Sequence, residues 1–445
     1  NSSICFLLFH IIHASVQGVM ITQKGFLLTR QWRDTRDGLI LRYWLHTDNG
    51  ALLFEQTQQE GVFFVETDRA AEASACIAHL LNRSKPLALM SFEQKNVSAF
   101  YFSQQKKLRQ AARILSEKGI TPLEADVRTV DRYLMERFIT ASMGVAVTHF
   151  QEHEGFFYGE NVSLKTEAFT PKLKVVSFDI ETAYPSNRVL SIAMYSETLK
   201  KVFLLDSAQD ETVIQRPTYC EPVPDERALL MAFMACLHEI DPDVLIGWNC
   251  INFDLRVLDL ACQRYGFKLA IGRNNEHIEW RTSQKNDEHY FVLVPGRAVL
   301  DGIDTLKSAS YHFESFSLEF VSQALLGKGK LIDASDDRSD EILRLFNEDK
   351  AAFAAYNLAD CELVWAIFEK TRLIHFAIER ARLTGLPLDK IGGSVAAFEN
   401  QYLPRLHRQG YVAPNLPINP QGVGSPGGYV MNSRPGLYEH VLVLD

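Results

Sequence analysis

The stretch Lys174–Tyr184, KVVSFDIETAY, decides the fold of this chain. Read with the two-residue period of a β-strand, its apolar residues share one face, namely Val176, Phe178 and Ile180. Asp179 and Glu181 share the other face and stand side by side. Because a run this apolar is typical of a core strand, the sequence predicts two adjacent carboxylates on a buried strand.

These two carboxylates need compensation if the strand is buried. Unpaired charge inside a protein is very costly unless a cation or hydrogen-bond donors accompany it. Carboxylate oxygens suit Mg²⁺ and Mn²⁺, and magnesium usually takes one or two of them with water and substrate phosphate. The strand therefore indicates phosphate chemistry at a metal ion. A D-x-E pair by itself is better explained by turn or cap hydrogen bonds, so the rest of the chain must decide.

The length and composition indicate an ordinary globular protein of two or three domains. With 445 residues, 47% hydrophobic and 23% charged, the chain is typical neither of disorder nor of a membrane protein. A formal net charge of −9 argues against binding nucleic acid through overall charge. Seven cysteines without C-x-x-C spacing indicate a reducing compartment rather than a disulfide framework or zinc site.

The first residues read differently from the segment that follows them. Ile4–Ile12 is apolar but lacks a basic leader and is too short to span a bilayer. We interpret residues 1–19 as an extension outside the native protein, which the intact mass of the natural product would test. From Met20 onward, period-two segments predict strands at Phe26–Thr29, Leu39–Leu45, Ala51–Phe54 and Val62–Val65.

A hairpin and two helices complete the predicted N-terminal domain. Asp48-Asn49-Gly50 supplies turn residues between the second and third strands. Ala70–Leu81 and Gln104–Glu117 read as helices, the second ending at Gly119. The second helix has a basic face that would suit phosphates, although such a face is more often solvated surface: Lys106, Lys107, Arg109 and Arg113.

The region after a polar connection at 151–172 alternates strands and helices. Val189–Tyr195 and Val202–Leu205 follow the Asp179 strand through short links, which predicts antiparallel neighbours. A helix at Asp225–Glu239 and a short strand at Val244–Gly247 come next. This order predicts an α/β fold with a mixed sheet flanked by helices.

Further polar residues lie where such a sheet builds a site. Asn249 follows the strand that ends at Gly247, and Asp254 begins a helix that reaches about Arg264. A later helix, from Glu348 to about Lys370, carries Tyr356 and Asp360 one turn apart on one face. Singly, a helix cap explains Asp254, and a core tyrosine beside a surface acid explains the last pair.

Together, these patterns resemble the three exonuclease motifs of the family B DNA polymerases. The order is D-x-E on a strand, N-x-x-x-F-D at a strand end and Y-x-x-x-D on a helix. Three other stretches are similar to the bacterial polymerase II branch of that family: Glu124–Phe138, Asp241–Asn249 and Ser425–Asp445. The resemblance covers nearly everything after Met20.

The resemblance implies a domain division and a truncated polymerase. Residues 20–165 would be a β-rich α+β domain, 166–372 a ribonuclease-H-like 3′-5′ exonuclease domain, and 373–445 a linker and the start of the palm. Asp445 would be the first metal-binding residue of an incomplete polymerase site, so primer extension is expected to be undetectable. Gly427 and Gly428 would let the backbone approach a DNA phosphate, although the aromatic residue that often precedes them in the family is absent.

The resemblance also implies a two-metal nuclease with Mg²⁺ or Mn²⁺. Our hypothesis is that Asp179 bridges both ions, while Glu181 and Asp360 complete the site of the attacking water. Asp254 would hold the second ion and Tyr356 would orient the water. The implied DNA-binding residues are Phe178, Asn249 and Phe253. The implied partners are a single-stranded 3′ end and a primer-template, with a sliding clamp for the intact protein, and the chain would be a cytoplasmic, nucleoid-associated monomer without a membrane.

Three alternatives stay open from the sequence. A phosphatase would share the carboxylates but has no need of a tyrosine at this spacing. A separate exonuclease of the same fold would not require the long N-terminal domain or the palm-like end. A catalytically silent DNA-binding scaffold would not need to keep all four acids and Tyr356, since a structural fold can replace buried acids without loss.

Overall fold

The computed structural model describes residues 20–206, 217–282, 290–329, 338–390, 392–416, 432 and 434–441. The predictions for residues 1–19, Gly427, Gly428 and Asp445 lie outside these residues. The N-terminal strands are β1 (Ile21–Asp34), β2 (Leu39–Thr47), β3 (Gly50–Gln59), β4 (Gly61–Glu66), β5 (Arg83–Met90), β6 (Asn96–Phe102), β7 (Ser142–Val147), β8 (Gln151–His153), β9 (Phe156–Glu160) and β10 (Ser163–Thr166).

The remaining strands and the helices follow in chain order. The strands are β11 (Val175–Ala183), β12 (Arg188–Ser196), β13 (Leu199–Leu205), β14 (Cys220–Val223), β15 (Val244–Gly247), β16 (Glu279–Thr282), β17 (Tyr290–Leu293) and β18 (Ala298–Asp301). The helices are α1 (Ala70–Cys76), α2 (Gln105–Glu117), α3 (Thr129–Met135), α4 (Glu226–Ile240), α5 (Asp254–Arg264), α6 (Gly302–Ser308), α7 (Leu318–Leu326), α8 (Arg338–Glu348), α9 (Lys350–Thr371), α10 (Leu373–Thr384) and α11 (Ser394–Arg408).

The N-terminal part contains two β-sheets. One has the strand order β10-β7-β1-β2-β3-β9-β8, and the other has the order β4-β6-β5. Thr47 pairs with Gly50 across the turn, which confirms the predicted hairpin. Helix α1 is shorter than predicted because Ile77 leaves the helical conformation and buries its side chain completely.

The predicted polar connection at 151–172 is wrong, because this segment contributes three short strands. Strand β9 runs parallel to β3 and extends the sheet, while β8 and β10 lie at the two ends of its strand order. Phe156 of β9 packs its ring edge-on against Trp44, with the ring centroids 5.0 Å apart. The pairing comes from tertiary contacts that a polar local sequence does not reveal.

The second part of the chain is organised around a six-stranded mixed sheet with the order β14-β13-β12-β11-β15-β18. Strand β11 pairs antiparallel with β12 and parallel with β15, as the short links and the crossover through α4 predict. The apolar face of β11 is buried with residues of α4 and α5, including Phe233, whose ring lies 6.1 Å from that of Phe178. The opposite face of β11 meets α9.

Helix α9 is a core helix. Asp349 caps its start by accepting a hydrogen bond from the Ala352 amide at 2.9 Å. By length and hydropathy α9 alone among the described helices is compatible with a membrane span, but 56% of its most apolar window is buried inside the molecule. Its side chains pack against the sheet on both sides of Asp360, with Ala354, Leu358 and Cys361 against Ala193 and Val202.

Charged side chains join the two parts of the chain. Arg42 of β2 makes paired hydrogen bonds to Glu276 at 2.7 and 2.8 Å, and His46 lies 2.9 Å from Asp243. Arg30 of β1 donates to the Gly385 carbonyl at 3.1 Å. Two-pronged guanidinium–carboxylate contacts are geometrically specific, so they fix how the first sheet meets the second part.

The end of α11 and the segment after it contact the N-terminal part. Met90 exchanges backbone hydrogen bonds with Gly410 and Val412, at 2.8 and 2.9 Å, along the edge of β5. His407 lies between Glu124 and Glu136, with nitrogen–oxygen distances of 2.9 and 2.6 Å. This stretch of the predicted linker is thus fastened to the domain with which the chain begins.

His407 predicts how stability depends on pH. Burial disfavours its charged form, but the two carboxylates outweigh burial and raise the pKa of His407 from 6.5 to about 9. A raised pKa stabilises the fold fully below pH 6.5, and this stabilisation is lost as the pH rises through 9. We expect the charged histidine to contribute about 3 kcal/mol, converted from the pKa difference.

Urea unfolding at pH 6 and pH 10 would test this expectation. The His407→Gln variant should lack that loss of stability between the two pH values, whereas His375→Gln on the exposed side of α10 should keep it. An unchanged pH dependence in His407→Gln would contradict the assignment.

Candidate functional site: a carboxylate cluster on β11 and α9

Three carboxylates converge where β11 faces α9. Oxygen atoms of Asp179, Glu181 and Asp360 all lie within 4.8 Å of one another. Glu181 and Asp360 are buried and Asp179 is half-buried. The two-residue period of the strand aims the first two side chains at the helix, and the helix supplies the third.

A buried amide holds Asp179. Asn357 Nδ2 donates to Asp179 Oδ2 at 2.8 Å, and Ser191 Oγ donates to Asn357 Oδ1 at 2.7 Å. Asn357 and Ser191 are fully buried. A carboxylate only accepts hydrogen bonds, so the amide must turn its NH₂ group toward Asp179, and the serine hydroxyl fixes that orientation. The two hydrogen bonds, from Ser191 to Asn357 and from Asn357 to Asp179, orient one oxygen of Asp179.

Asp254 lies beside this cluster but outside the group of three. It is the first residue of α5 and is 3% exposed. Its Oδ1 accepts a hydrogen bond from the Ile180 amide at 3.2 Å, between the two acids of β11. Within the described residues, Asp254 is not one of the acids whose oxygens lie within 4.8 Å of one another here.

The loop between β15 and α5 is held by the start of α6. A Cβ atom on Gly302 would lie 2.6 Å from Trp248, so the indole packs directly on the backbone there. Trp248 Nε1 donates to the Phe316 carbonyl at 2.9 Å, and Asp301 accepts from the Ile251 amide at 3.3 Å. Burial, followed by the charge of Asp304, raises the pKa of Asp301 to about 6.

The predicted DNA-binding residues fall into two groups. Asn249 and Phe253 are exposed on this loop, and Asn249 has a φ of 58°, which asparagine tolerates better than most residues. Phe178 is completely buried in the core beneath the sheet, so its side chain does not reach the surface. A DNA contact through Phe178 stays a prediction without support from its position.

Tyr356 lies one helical turn before Asp360 and is 1% exposed. It belongs to the same buried cluster as Phe178 and Ile180. The structure therefore places this phenol among the elements that carry the acids, and its role as a water-orienting group stays a prediction.

The electrostatics of the cluster favour a cation. Burial, followed by the negative charges of Asp179 and Asp360, raises the pKa of Cys361 well above its ordinary value. Hard carboxylate oxygens at this mutual distance are a donor set that suits Mg²⁺ or Mn²⁺. The residues present thus fit a divalent metal ion held between the strand and the helix.

Comparison with known proteins assigns this arrangement to a family. Residues 124–321 match the family model for the exonuclease domain of DNA polymerase family B, and residues 25–60 match the model for the N-terminal region of DNA polymerase II. The chain belongs to the family B DNA polymerases. The match covers β11, β15 and α5 of this family B chain, whereas α9 lies beyond its end.

Relatives and a solved structure agree with the family. The chain is 45% identical over 431 residues to DNA polymerase II of Escherichia coli, covering 96% of this chain and 54% of that protein. It is 27% identical over 289 residues to a DNA polymerase of Thermococcus litoralis, covering 62% of this chain and 16% of that protein. The chain thus spans about half the length of its E. coli relative and less of the archaeal one.

The fold is also that of a family B polymerase. The structure of the enzyme from the hyperthermophilic archaeon Pyrobaculum calidifontis superposes with a TM-score of 0.68 at 20% identity. The superposition covers 88% of this chain and 51% of that one.

Sequence reasoning missed Asn357 and Ser191. Asn357 directly follows Tyr356 in the third motif, and Ser191 lies in the apolar strand that pairs with β11. A polar residue inside an otherwise apolar element is the one signal that pointed to them, because buried polar groups need partners.

Asn357→Ala is expected to weaken metal binding. Without the amide, Asp179 loses the donor that orients it, and loss of such a supporting hydrogen bond typically costs about 10- to 100-fold in metal affinity. Isothermal titration of Mn²⁺ into the protein without DNA would measure the change. Asn400→Ala, at a half-buried asparagine of α11, is the control and should bind Mn²⁺ normally. Equal Mn²⁺ affinity in a folded Asn357→Ala protein would exclude this role.

Proposed function

We propose that this chain carries a 3′-5′ exonuclease that removes nucleotides one at a time from DNA 3′ ends. The convergence of Asp179, Glu181 and Asp360 within 4.8 Å, from a strand and a helix that carry two of the family motifs, supports this proposal most directly. The family match over residues 124–321 supports the same reaction class.

The proposed ligands divide between two cations. Asp179, Glu181 and Asp360 would hold one Mg²⁺ or Mn²⁺ ion, and Asp179 with Asp254 would hold a second. Such ions supply a more acidic water and neutralise the charge that develops on the scissile phosphate. The Asn357–Ser191 chain would keep Asp179 turned toward both positions.

The remaining site residues have positioning roles in this proposal. Tyr356 would hydrogen-bond the attacking water and direct it at the phosphorus atom. Phe253, which is 41% exposed, would stack on the terminal base, and Asn249 would hydrogen-bond the same nucleotide. Stacking is tolerant of sequence, so the enzyme would select single strands rather than particular bases.

The relatives extend the proposal beyond this chain. Both relatives described above are DNA polymerases, so we propose that a protein of the length of the E. coli relative also polymerises DNA on a primer-template. A sliding clamp would be a partner of that longer protein. We further propose a monomer that works in the cytoplasm at the nucleoid.

Exonuclease assays on a 5′-labelled single-stranded oligonucleotide with Mg²⁺ would test the reaction. We expect a ladder that shortens from the 3′ end and disappears with EDTA. The Asp179→Ala, Glu181→Ala double variant should lose at least about 100-fold in rate, because it removes charge stabilisation worth several kcal/mol. Glu239→Ala, an exposed acid at the end of α4, should cleave normally. Equal cleavage by the double variant, or none by a folded wild-type chain, would defeat the proposal.

Tyr356→Phe tests the role of the phenol. The variant keeps the buried ring and loses only the hydroxyl, so the fold and Mn²⁺ affinity should be retained. Single-turnover cleavage should slow by about 100-fold, the low end of the range for groups that assist proton transfer. A rate equal to that of the wild type would remove Tyr356 from the mechanism.

A further inference from the structure

Asp301 ends β18 at the edge of the sheet where the candidate site lies. Strand β15 runs parallel to both β11 and β18, and Gly247 at its end pairs with Asp301. Because the carboxyl ends of parallel strands meet at one edge of a sheet, the turn after β15 lies between the end of β11 and Asp301. We define the β15–α5 loop as residues 248–253, which carry Asn249 and Phe253.

The two carboxylate oxygens of Asp301 serve different elements. Oδ1 accepts a hydrogen bond from the Ile303 amide at 3.0 Å and so caps α6. Oδ2 accepts from the Ile251 amide at 3.3 Å, in the middle of the β15–α5 loop. Burial, followed by the charges of Asp301 and Asp254, raises the pKa of the neighbouring Cys250 thiol well above its ordinary value, so this thiol stays protonated beside the carboxylate. Asp301 thus connects β18 and α6 with the loop.

Capping α6 does not by itself require a buried charge. Asp225 and Asp349 cap α4 and α9 from exposed positions, and the Ser317 hydroxyl caps α7 without a charge. Asp301 is only 2% exposed, and burying a carboxylate is costly unless hydrogen-bond donors compensate it. The second donor to Asp301 is the Ile251 amide of the loop. The contact with the loop therefore explains why an acid, and not merely a capping hydroxyl, occupies this position.

Close packing holds the same loop against the ends of the strands. The Trp248 ring covers Gly302 so closely that a Cβ atom there would lie 2.6 Å from the ring. A Cβ atom on Gly247 would lie 2.6 Å from the Cβ of Cys250 and 3.1 Å from the Phe178 carbonyl oxygen. The first half of the loop therefore folds back over the ends of β15 and β11, and even a methyl group added at either glycine would displace it.

Two other contacts hold the second half of the loop and the start of α5. Asn252 Oδ1 accepts a hydrogen bond from the Tyr290 amide at 3.2 Å. Asp254 Oδ1 accepts one from a β11 amide at 3.2 Å, so this acid is fastened to the central strand without help from Asp301. Loss of the Asp301 contact should therefore move the half of the loop that carries Asn249 more than it moves the acids.

We propose that Asp301 is a positioning residue that holds the β15–α5 loop where Asn249 and Phe253 can contact the terminal nucleotide of a DNA strand. This inference rests on the proposed function, in which these two side chains bind that nucleotide. Asp301 acts through the loop rather than on the reacting atoms. Its loss should therefore weaken substrate binding and leave the chemical step unchanged.

Asp301→Ser tests this role because serine keeps the cap and removes the contact with the loop. Its hydroxyl can accept from the Ile303 amide, as the Ser317 hydroxyl does at the start of α7, but it offers a single oxygen on a shorter side chain. KM for a short 5′-labelled single strand with Mg²⁺ should rise about tenfold with kcat unchanged, because losing a hydrogen bond to a charged group costs at least about that factor. Mn²⁺ affinity without DNA should stay at the wild-type value, and backbone hydrogen exchange at residues 248–253 should become faster.

Two further variants complete the experiment. Asp225→Ser makes the same substitution at the cap of α4 and should match the wild type in KM and in exchange of the loop. Gly302→Ala disturbs the loop through its other contact, since the added Cβ atom must displace Trp248, and should raise KM in the same way. Gly302→Ala also keeps the proposal testable if Asp301→Ser does not fold.

Wild-type KM, or unchanged exchange of the loop, in a folded Asp301→Ser chain would overturn the proposal. An equal loss of kcat and Mn²⁺ affinity would also overturn it, because that pattern indicates general damage to the site. If the wild-type chain cleaves nothing, the proposed function fails, and the affinity of the same strand in EDTA replaces KM as the measure. Wild-type affinity in Asp301→Ser, or no binding by either protein, would then overturn the positioning role as well.

Discussion

Mutual repulsion among carboxylates is the constraint on which the site depends. The packing of a strand against a helix brings Asp179, Glu181 and Asp360 together. Water screens their charges poorly because two of the three side chains are buried. The protein answers with hydrogen bonds: the Ile180 amide serves Asp254, and the Asn357 amide serves Asp179. A divalent cation is the group that best balances the formal charge of these acids.

The same logic of charge governs the contact between the two parts of the molecule. Arg42 meets Glu276 through two hydrogen bonds, and His46 lies 2.9 Å from Asp243, directly before β15. In each pair a basic side chain meets an acid and both side chains are largely buried, so the pairs fix how the two parts are oriented.

Much of this arrangement could be predicted from the sequence wherever the pattern is local. The alternation around Asp179, the strand Val244–Gly247 and the helix Asp254–Arg264 were predicted at or near their observed bounds, because apolar periodicity and caps act over a few residues. The strands at 151–166 were missed because distant partners stabilise them. Asn357 was missed for a related reason: a helical asparagine is ordinary until a serine from another strand and a buried aspartate are seen on its two sides. Phe178 shows the reverse case, in which a motif residue expected to meet DNA fills the core.

The return of the chain after α11 has a topological consequence. Residues 410–412 add to the edge of β5, and Val412 is fully buried with Phe64 and Leu123 of the N-terminal part. The second part of the chain, which carries the carboxylate cluster, is therefore an insertion between two pieces of one folding unit. Cutting the chain just after α9 would leave a hydrophobic gap and an unpaired strand edge in that unit. We expect such a shortened chain to aggregate. Because the entropic cost of closing a loop rises only slowly with its length, the inserted second part can tolerate changes in length that the N-terminal unit cannot.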